Sequence, residues 1–143
     1  DSVTSIGNWA FNGVESVEIS LPASLESLGA NALGATNRIS ITVAAGNPVY
    51  HSVNNCLIET ATNTLVLGCK NSVIPTDGTV TKIGNYAFED CDSLISVTFV
   101  DPTGWYVSTI STATSGTNLT LTNASTNATY LKSTYYYYYW YKK

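Results

Sequence analysis

Charged side chains are scarce in this sequence, and basic ones are scarcer still. Charged residues make up 11% of the 143-residue chain, and six Lys and Arg stand against ten Asp and Glu, for a formal net charge of −4. Globular domains carry about 25% charged residues. Binding along a phosphate backbone needs clustered Lys and Arg, so we expect no nucleic-acid partner. Ser, Thr and Asn must supply most of the polar surface, which is typical of a secreted or cell-surface protein.

Long apolar runs, methionine and a leader are also missing. No apolar run approaches the roughly 18 residues of a membrane-spanning helix, and the first residues lack the charged-then-apolar pattern of a signal peptide. The chain has no Met, and its first letters, "DSVTSIG", already belong to a repeated motif. We therefore expect a fragment of a longer exported protein, without membrane insertion.

Groups that could perform catalysis are few. The single His, His51, could be the base that a Ser or Cys nucleophile needs, but in "NPVYHSVNN" a surface turn or strand role is favoured. The acidic residues Glu89, Asp90 and Asp92 lack the alternating oxygen ligands and the distant bidentate Glu of a calcium loop, so a solvated loop is the better interpretation. We expect no enzyme activity, no metal site and no cofactor.

One short motif occurs repeatedly. "TSIGNWAF" at residues 4–11 nearly matches "TKIGNYAF" at 81–88, and "LESLGANAL" at 25–33 follows the same pattern. Gly7 and Gly29 lie 22 residues apart, a period within the range of leucine-rich repeats. Gly84 lies 55 residues further on. That gap leaves room for one intervening unit with a different sequence.

Equivalent apolar positions recur in each copy of the motif. Each repeat of a stacked array buries its own apolar stripe against the next repeat. The equivalent residues are Val3, Ile6, Ala10 and Phe11, then Leu25, Leu28, Ala32 and Leu33, then Val80, Ile83, Ala87 and Phe88. We predict that Phe11, Leu33 and Phe88 stack in one continuous core.

A short segment with alternating apolar residues follows each motif and predicts a strand. The inward residues would be Val17, Ile19 and Leu21, then Ile39, Ile41 and Val43, then Val97 and Phe99. The outward residues would be Glu18 and Ser20, Ser40 and Thr42, and Ser96 and Thr98. This outward row predicts one exposed face, the usual partner-binding surface of a repeat array. Its small hydroxyl side chains suit a broad protein or glycan contact better than a deep pocket.

The pattern L-x-x-I-G-x-x-A-F-x-x-C-x-x-L-x-x-V-x-I-P, seen in "IGNYAFEDCDSLISVTF" and "LPASLESLG", resembles the BspA-type leucine-rich repeats of bacterial surface proteins. The resemblance covers about residues 3–100. It implies a mainly β, right-handed solenoid over residues 1–100. It also implies a non-catalytic function, adhesion to a host or neighbouring-cell protein.

Residues 44–79 are similar to the hairpin-bearing variant repeats of that family, with turn signals at 46–48, 54–55 and 76–78. A two-residue turn at Thr62 and Asn63 would place Cys56 opposite Cys69. Three cysteines cannot all pair within one chain, and Cys91 is expected to be free. Cys56 and Cys69 are either buried small apolar residues, the favoured interpretation, or a disulfide that an exported location would allow.

Residues 101–143 have a different composition and predict a small, β-rich C-terminal cap over the end of the solenoid. Within it, a short helix capped by Asn123 would precede a final strand. The triplets at Asn118, Asn123 and Asn127 match a glycosylation signal that matters only on a eukaryotic export route.

The segment "STYYYYYWYKK" would form that final strand, and its side chains would alternate between two sides. We predict that Trp140 and the tyrosines on its side, Tyr136 and Tyr138, pack inward near Trp105 and Tyr106, because Trp140 is the largest apolar side chain. The opposite row, Tyr135, Tyr137, Tyr139 and Tyr141, would be an exposed aromatic strip. Such a strip would allow self-association or the stacking of sugar rings, so a carbohydrate-binding module is the first alternative function. A structural stalk is the second.

Overall fold

The computed structural model describes residues 2–15, 17–34, 37–75 and 78–143. The regular secondary structure of these residues consists mainly of strands, with one short α-helix, α1 (Ala124–Thr129), and a π-helical turn at Tyr130–Thr134. No helix among them is long and apolar enough to cross a membrane. The strands are β1 (Ser5–Ile6), β2 (Glu18–Leu21), β3 (Ser27–Leu28), β4 (Ser40–Val43), β5 (Tyr50–Val53), β6 (Cys56–Glu59), β7 (Thr64–Gly68), β8 (Val73–Ile74), β9 (Lys82–Ile83), β10 (Thr98–Phe99), β11 (Trp105–Ser108), β12 (Thr117–Asn118) and β13 (Tyr139–Lys142).

Parallel pairing joins the first two repeats at a constant offset. Strand β1 pairs with β3, with Ser5 opposite Ser27, and β2 pairs with β4, with Glu18 opposite Ser40. Both offsets equal the 22-residue period of the motif. The predicted period is therefore confirmed as a structural register. At the variant repeat, β7 pairs with β9 and β8 with β10, also in parallel.

At Gly29, the glycine of the motif is in close contact with the preceding repeat. The Gly29 backbone N–H donates to the Ile6 carbonyl at 2.8 Å, and a Cβ built on Gly29 would lie 2.4 Å from Asn8 Oδ1. A turn follows in which Trp9, Asn31 and Tyr86, the equivalent residues of three repeats, have φ of 58°, 47° and 62°. This left-handed conformation is unfavourable for bulky side chains, yet two of the three residues are aromatic.

The variant repeat forms the hairpins that the sequence predicts, but in a different register. Strands β5, β6 and β7 are antiparallel neighbours at one edge of a seven-stranded sheet of order β12-β11-β13-β9-β7-β6-β5. Asn54 and Asn55, both with positive φ, form the predicted turn between β5 and β6. The predicted turn at 76–78 lies largely outside the described residues.

The prediction that Cys56 lies opposite Cys69 is wrong. Cys56 pairs with Gly68, and a bulge between Leu57 and Ile58 shifts the register further along the strand. The loop between β6 and β7 spans 60–63 rather than two residues. Cys56 and Cys69 also pack into different core clusters. Both are free, buried thiols, as is Cys91, so the structure shows the favoured interpretation and not the alternative disulfide.

The described residues form two apolar clusters rather than one continuous core. Leu33 and Leu57 belong to a smaller cluster around the first two repeats, whereas Phe88 and Ile58 belong to a larger one that extends to the C terminus. Adjacent residues of β6 thus supply different clusters because side chains alternate along a strand. Phe11 is 38% exposed and belongs to neither cluster. The predicted continuous stack of Phe11, Leu33 and Phe88 is therefore wrong.

The C-terminal segment extends the seven-stranded sheet, because β13 lies between β11 and β9. Trp140 is 1% exposed, and Phe99 contacts both Trp140 and Trp105, with ring centroids 6.1 and 5.2 Å away. Trp140 therefore packs inward near Trp105, as predicted. Tyr106 lies on the other side, where it stacks on Tyr141 at 5.2 Å.

The rest of the aromatic run does not form the predicted single strand. Strand β13 begins only at Tyr139, and Tyr135 to Tyr138 form a turn in which the Tyr138 N–H donates to the Tyr135 carbonyl at 3.1 Å. Upstream, Asn123 caps α1 as predicted, since its Oδ1 accepts from the Thr126 N–H at 2.9 Å. Asn127 of that helix is 1% exposed, so the folded protein has no space for a glycan on its side chain.

The different burial of Phe88 and Phe11 predicts different effects of truncation. Phe88→Ala should lower the free energy of unfolding by roughly 3–5 kcal/mol, because it leaves a cavity in the larger cluster. Phe11→Ala should cost clearly less, since its side chain is already in partial contact with water. Urea denaturation of both variants measures the difference. Equal losses for the two variants would contradict this description of the core.

Candidate functional site

A buried arginine, the only Arg of the chain, joins three segments. Arg38 is 1% exposed and follows the turn of the second repeat. Its Nε donates to the Gly68 carbonyl at 2.9 Å, and its Nη1 to the Leu33 carbonyl at 3.3 Å. Its Nη2 donates to the Glu89 carbonyl at 3.0 Å and to Cys91 Sγ at 3.1 Å. The guanidinium thus connects the second repeat to the end of β7 and to the turn of the last repeat.

Next to Arg38 lies a groove with a volume of about 560 Å³, which we call the variant-repeat groove. The turn of the second repeat, the β6–β7 hairpin and the turn of the last repeat all contribute to it. Its lining consists of Leu28, Gly29, Ala30, Asn31, Ala32, Leu33, Gly34, Arg38, Tyr50, Leu57, Glu59, Val66, Leu67, Asn85, Tyr86, Glu89 and Asp90.

The groove coincides with a shortening of the variant repeat. The Gly29 N–H donates to the Ile6 carbonyl, and the Gly84 N–H donates in the same way to the Leu65 carbonyl. Leu65 of the variant repeat is therefore equivalent to Ile6 of the first repeat. The Gly68 N–H donates to the Ala87 carbonyl as the Phe11 N–H donates to that of Ala32. Two residues, 66–67, therefore replace the four residues 7–10 of the first repeat. The variant repeat has no room for the left-handed turn, and the turns on either side of it border the groove.

The bordering turns are tied to each other across the variant repeat. Asn31 Nδ2 donates to Glu89 Oε2 at 3.2 Å, and the Asn37 N–H donates to the Asp90 carbonyl at 3.0 Å. Asn37 Oδ1 in turn accepts from the N–H and hydroxyl of Ser93, at 2.7 and 2.6 Å. These contacts hold the groove in shape without a ligand.

Carboxylates give the groove a negative character. Glu59, Glu89 and Asp90 line it, and Asp90 is exposed. The pKa of the Tyr50 phenol is raised mainly by burial, and the negative charge of Glu59 raises it further. The ring of Tyr86, 42% exposed, lines the same groove. Sequence reasoning treated Glu89 and Asp90 only as loop residues, because no local pattern connects them with Glu59.

Four of the six residues predicted to point outward lie side by side in the structure. Glu18 lies opposite Ser40, and Ser20 lies opposite Thr42, on the parallel strands β2 and β4. All four side chains are exposed or half-buried, and Thr42 Oγ1 donates to the Ile19 carbonyl at 3.4 Å. Ser96 and Thr98 are also exposed, but Thr98 lies in β10, which pairs with β8 in a separate sheet. We call the first four residues the β2–β4 face.

The predicted aromatic strip is replaced by a different cluster. Of the four tyrosines, only Tyr137 is strongly exposed, at 42%. Tyr135 packs on the larger cluster, and Tyr139 and Tyr141 lie near the Lys82 ammonium, whose Nζ is 5.0 and 5.4 Å from their ring centroids. Another row of rings runs from the groove along Tyr86, Tyr136, Tyr137 and Tyr138, with successive ring centroids 5.8, 5.3 and 4.5 Å apart. Its last ring, Tyr138, contacts Tyr135 and packs on the larger cluster.

The three thiols are buried, and the histidine is hydrogen-bonded on a strand. Burial raises the pKa of Cys56 and of Cys69 to about 12. Burial also raises the pKa of Cys91, although the Arg38 guanidinium opposes the shift. His51 lies on β5, where its Nδ1 is 2.9 Å from Thr60 Oγ1. Within residues 2–15, 17–34, 37–75 and 78–143, no cluster of His, Cys, Asp and Glu could hold a metal ion.

Comparison with known proteins supports a repeat fold. A family model described as "BspA type Leucine rich repeat region (6 copies)" matches residues 1–64 and 66–141. Among solved structures, the pneumococcal vaccine antigen PcpA is similar at 22% identity with a TM-score of 0.50, over 68% of this chain and 31% of that chain. A leucine-rich repeat protein from Eubacterium ventriosum is similar at 15% identity with a TM-score of 0.34, over 65% of this chain and 44% of that chain. No curated protein sequence matches significantly.

The chain spans about a third of the length of PcpA and less than half of the second protein. At 22% identity, the likeness to PcpA concerns the fold alone. The family match continues beyond residue 100, through the segment for which the sequence predicts a cap.

The burial of the cysteines predicts their reactivity. At pH 8 all three thiols should react with a water-soluble disulfide reagent very slowly in the native protein, because the reactive thiolate is disfavoured by burial. All three should react in denaturant. Counting the thiols before and after unfolding, without reductant, measures both quantities. A count of one in denaturant would show the disulfide that the structure lacks.

The hydrogen bonds of Arg38 predict that its replacement destabilises the protein, even when the positive charge is kept. Arg38→Met should lower the free energy of unfolding by roughly 3 kcal/mol or more, because buried carbonyls lose their donors. Arg38→Lys should restore little, since an ammonium lacks the planar fork that reaches several acceptors. Lys143→Met, at an exposed position, serves as the control in thermal and urea denaturation. A full rescue by Lys would contradict the role of the fork.

Proposed function

Because the chain belongs to the BspA-type leucine-rich repeat family, we propose that it is a non-catalytic module that binds an extracellular protein. Leucine-rich repeats are typically interaction modules, and repeat arrays offer extended surfaces for a partner. We place the module on the bacterial cell surface or among secreted proteins. The scarcity of charge and the abundance of hydroxyl and amide side chains support that location.

The observation that carries the proposal is the β2–β4 face. Glu18, Ser20 and Thr42 are exposed, Ser40 is half-buried, and the parallel register sets them side by side on two strands. Side chains this short leave the strands accessible to a broad, flat partner surface. We propose that Ser96 and Thr98 continue the same contact on the last repeat.

We also propose that the repeats form one right-handed solenoid closed by residues 101–143. The parallel pairs β1–β3, β2–β4, β7–β9 and β8–β10 support a stacked array. Parallel strands joined by crossovers are right-handed in almost all known cases. The position of β13 beside β9 supports a closing role for the C-terminal segment.

Carbohydrate binding is the second candidate function, and the exposed tyrosine cluster supports it. Tyr86 and Tyr137 are each 42% exposed, and Tyr136 lies between them. Aromatic rings with one accessible side provide apolar area beside a polar hydroxyl. A structural stalk, with no partner of its own, is the remaining alternative.

A blocking substitution on the β2–β4 face tests the main proposal. The double variant S20R/T42R should lower binding to a responsive protein from a panel of host matrix proteins by about tenfold or more, since two bulky charged side chains obstruct the contact. The control S115R/T120R makes the same change at exposed residues elsewhere. A glycan array runs in parallel.

The outcomes separate the candidates. Loss of matrix-protein binding in S20R/T42R alone supports the β2–β4 face. Equal retention by both variants contradicts it. Sugar binding without protein binding favours the carbohydrate module, and no response to either panel favours the stalk.

A further inference from the structure

The variant-repeat groove shares no residue with the β2–β4 face, and its chemistry points to a different contact. We infer that it receives a Lys or Arg side chain presented by an extended segment of a partner protein. This site goes beyond the proposed function, because it can bind such a segment whether or not the β2–β4 face binds a protein.

The shape of the groove fits a side chain with some adjoining backbone. A volume of about 560 Å³ lies within the range of roughly 300–1,000 Å³ for specific ligand sites. The groove exists because the variant repeat is two residues shorter between equivalent positions than the first repeat. The turns carrying Asn31 and Tyr86 are fixed by backbone and side-chain hydrogen bonds. The site is therefore formed before a ligand arrives, which limits the entropy lost on binding.

The charge of the groove selects a cation. Glu59 comes from the hairpin, and Glu89 and Asp90 come from the turn of the last repeat. The side-chain contacts described for the two glutamates are to neutral donors, the Thr62 hydroxyl and the Asn31 amide. Arg38, the basic residue of the lining, directs its described hydrogen bonds to backbone carbonyls and a thiol. The three carboxylates outnumber the single Arg38 guanidinium in the lining, so an anionic ligand would meet a net negative charge here, whereas a cationic one is attracted.

The remaining lining suits the other parts of a Lys or Arg side chain. Leu28, Val66 and Leu67 are half-buried and offer apolar area to the methylene stem. The exposed ring of Tyr86 offers a surface for a cation, which aromatic rings attract within about 6 Å. Apolar area, an aromatic ring and carboxylates in one groove match an amphipathic cation better than a neutral sugar, which would not use the charge.

A turn residue supplies the aromatic ring of the groove. Tyr86 has a φ of 62°, and the equivalent residue of the second repeat, Asn31, has no ring. The ring is held at the border of the groove by the Tyr86 N–H, which donates to the Tyr136 carbonyl at 2.7 Å, and by an edge contact with the Tyr136 ring.

A peptide titration tests the inference. The probe is the acetylated and amidated heptapeptide Gly-Ser-Gly-Arg-Gly-Ser-Gly, with counterparts carrying Lys, Gln or Glu at the centre. Amide chemical shifts of the isotope-labelled protein are followed by NMR. We expect saturable shifts at Asn31, Leu67 and Tyr86 with the Arg and Lys peptides, and no saturable change with the Gln and Glu peptides.

Matched variants identify the groups that bind. E59Q/E89Q should raise the Kd of the Arg peptide about tenfold or more, because both charged contacts are lost. The control E15Q/E26Q changes net charge equally at exposed acids outside the groove and should change the Kd by less than about twofold. Y86N should weaken binding, whereas W9N, at the equivalent left-handed position of the first repeat, should not. The spectra of the free variants verify that each is folded.

Several results would overturn the inference. Equal shifts with the Gln peptide would remove the role of charge, and equal weakening in E15Q/E26Q would indicate attraction to the whole acidic surface. Saturation of the groove by cellotetraose, undiminished in E59Q/E89Q, would assign the groove to a glycan instead. S20R/T42R should bind the Arg peptide normally, so a failure of the β2–β4 face and a failure of the groove are distinguishable.

Discussion

The hydrogen bonds of the Arg38 guanidinium are the constraint on which the rest of the arrangement depends. They join the second repeat, the end of β7 and the last repeat at the place where the variant repeat interrupts the regular turns. In regular repeats the turn carbonyls accept from N–H groups of the preceding repeat, as the Ala30 and Ala32 carbonyls accept from the Trp9 and Phe11 N–H groups. Where the variant repeat is too short to do this, Arg38 supplies donors from a buried position. The planar fork of arginine suits this role because it reaches several acceptors at once.

The shortened variant repeat also explains the division of the core. Gly68 occupies the position that is equivalent to Phe11, so the variant repeat has no large side chain there. The Phe88 ring fills the space instead, since a Cβ built on Gly68 would lie 2.1 Å from Phe88 Cε1. Strand β6 then supplies Leu57 to one cluster and Ile58 to the other. The loss of one turn in one repeat thus accounts both for the packing of Phe88 against Gly68 and for the groove.

The features that the sequence predicted well are those repeated in it. Gly7, Gly29 and Gly84 established the period, and that period is the pairing offset of β1 with β3 and of β2 with β4. The register of Cys56 could not be predicted, because neither the bulge nor the four-residue loop has a local signature. The tyrosine run failed for a related reason: identical side chains contain no periodicity from which a strand or a turn could be chosen. Arg38 and the groove acids were missed because residues far apart in sequence combine there.

The constant offset between neighbouring repeats has a consequence for how such a chain can change its length. Each ladder of hydrogen bonds links a residue to the one a full period later, so the gain or loss of one whole period leaves every remaining pair aligned. A single inserted residue inside a strand instead turns the following side chains to the opposite side of the sheet. The length of such a chain is therefore inherited in units of one repeat. The variant repeat departs from that unit, because β7 pairs with β9 at an offset of 18 residues and β8 pairs with β10 at an offset of 25. Its hairpin accommodates the difference.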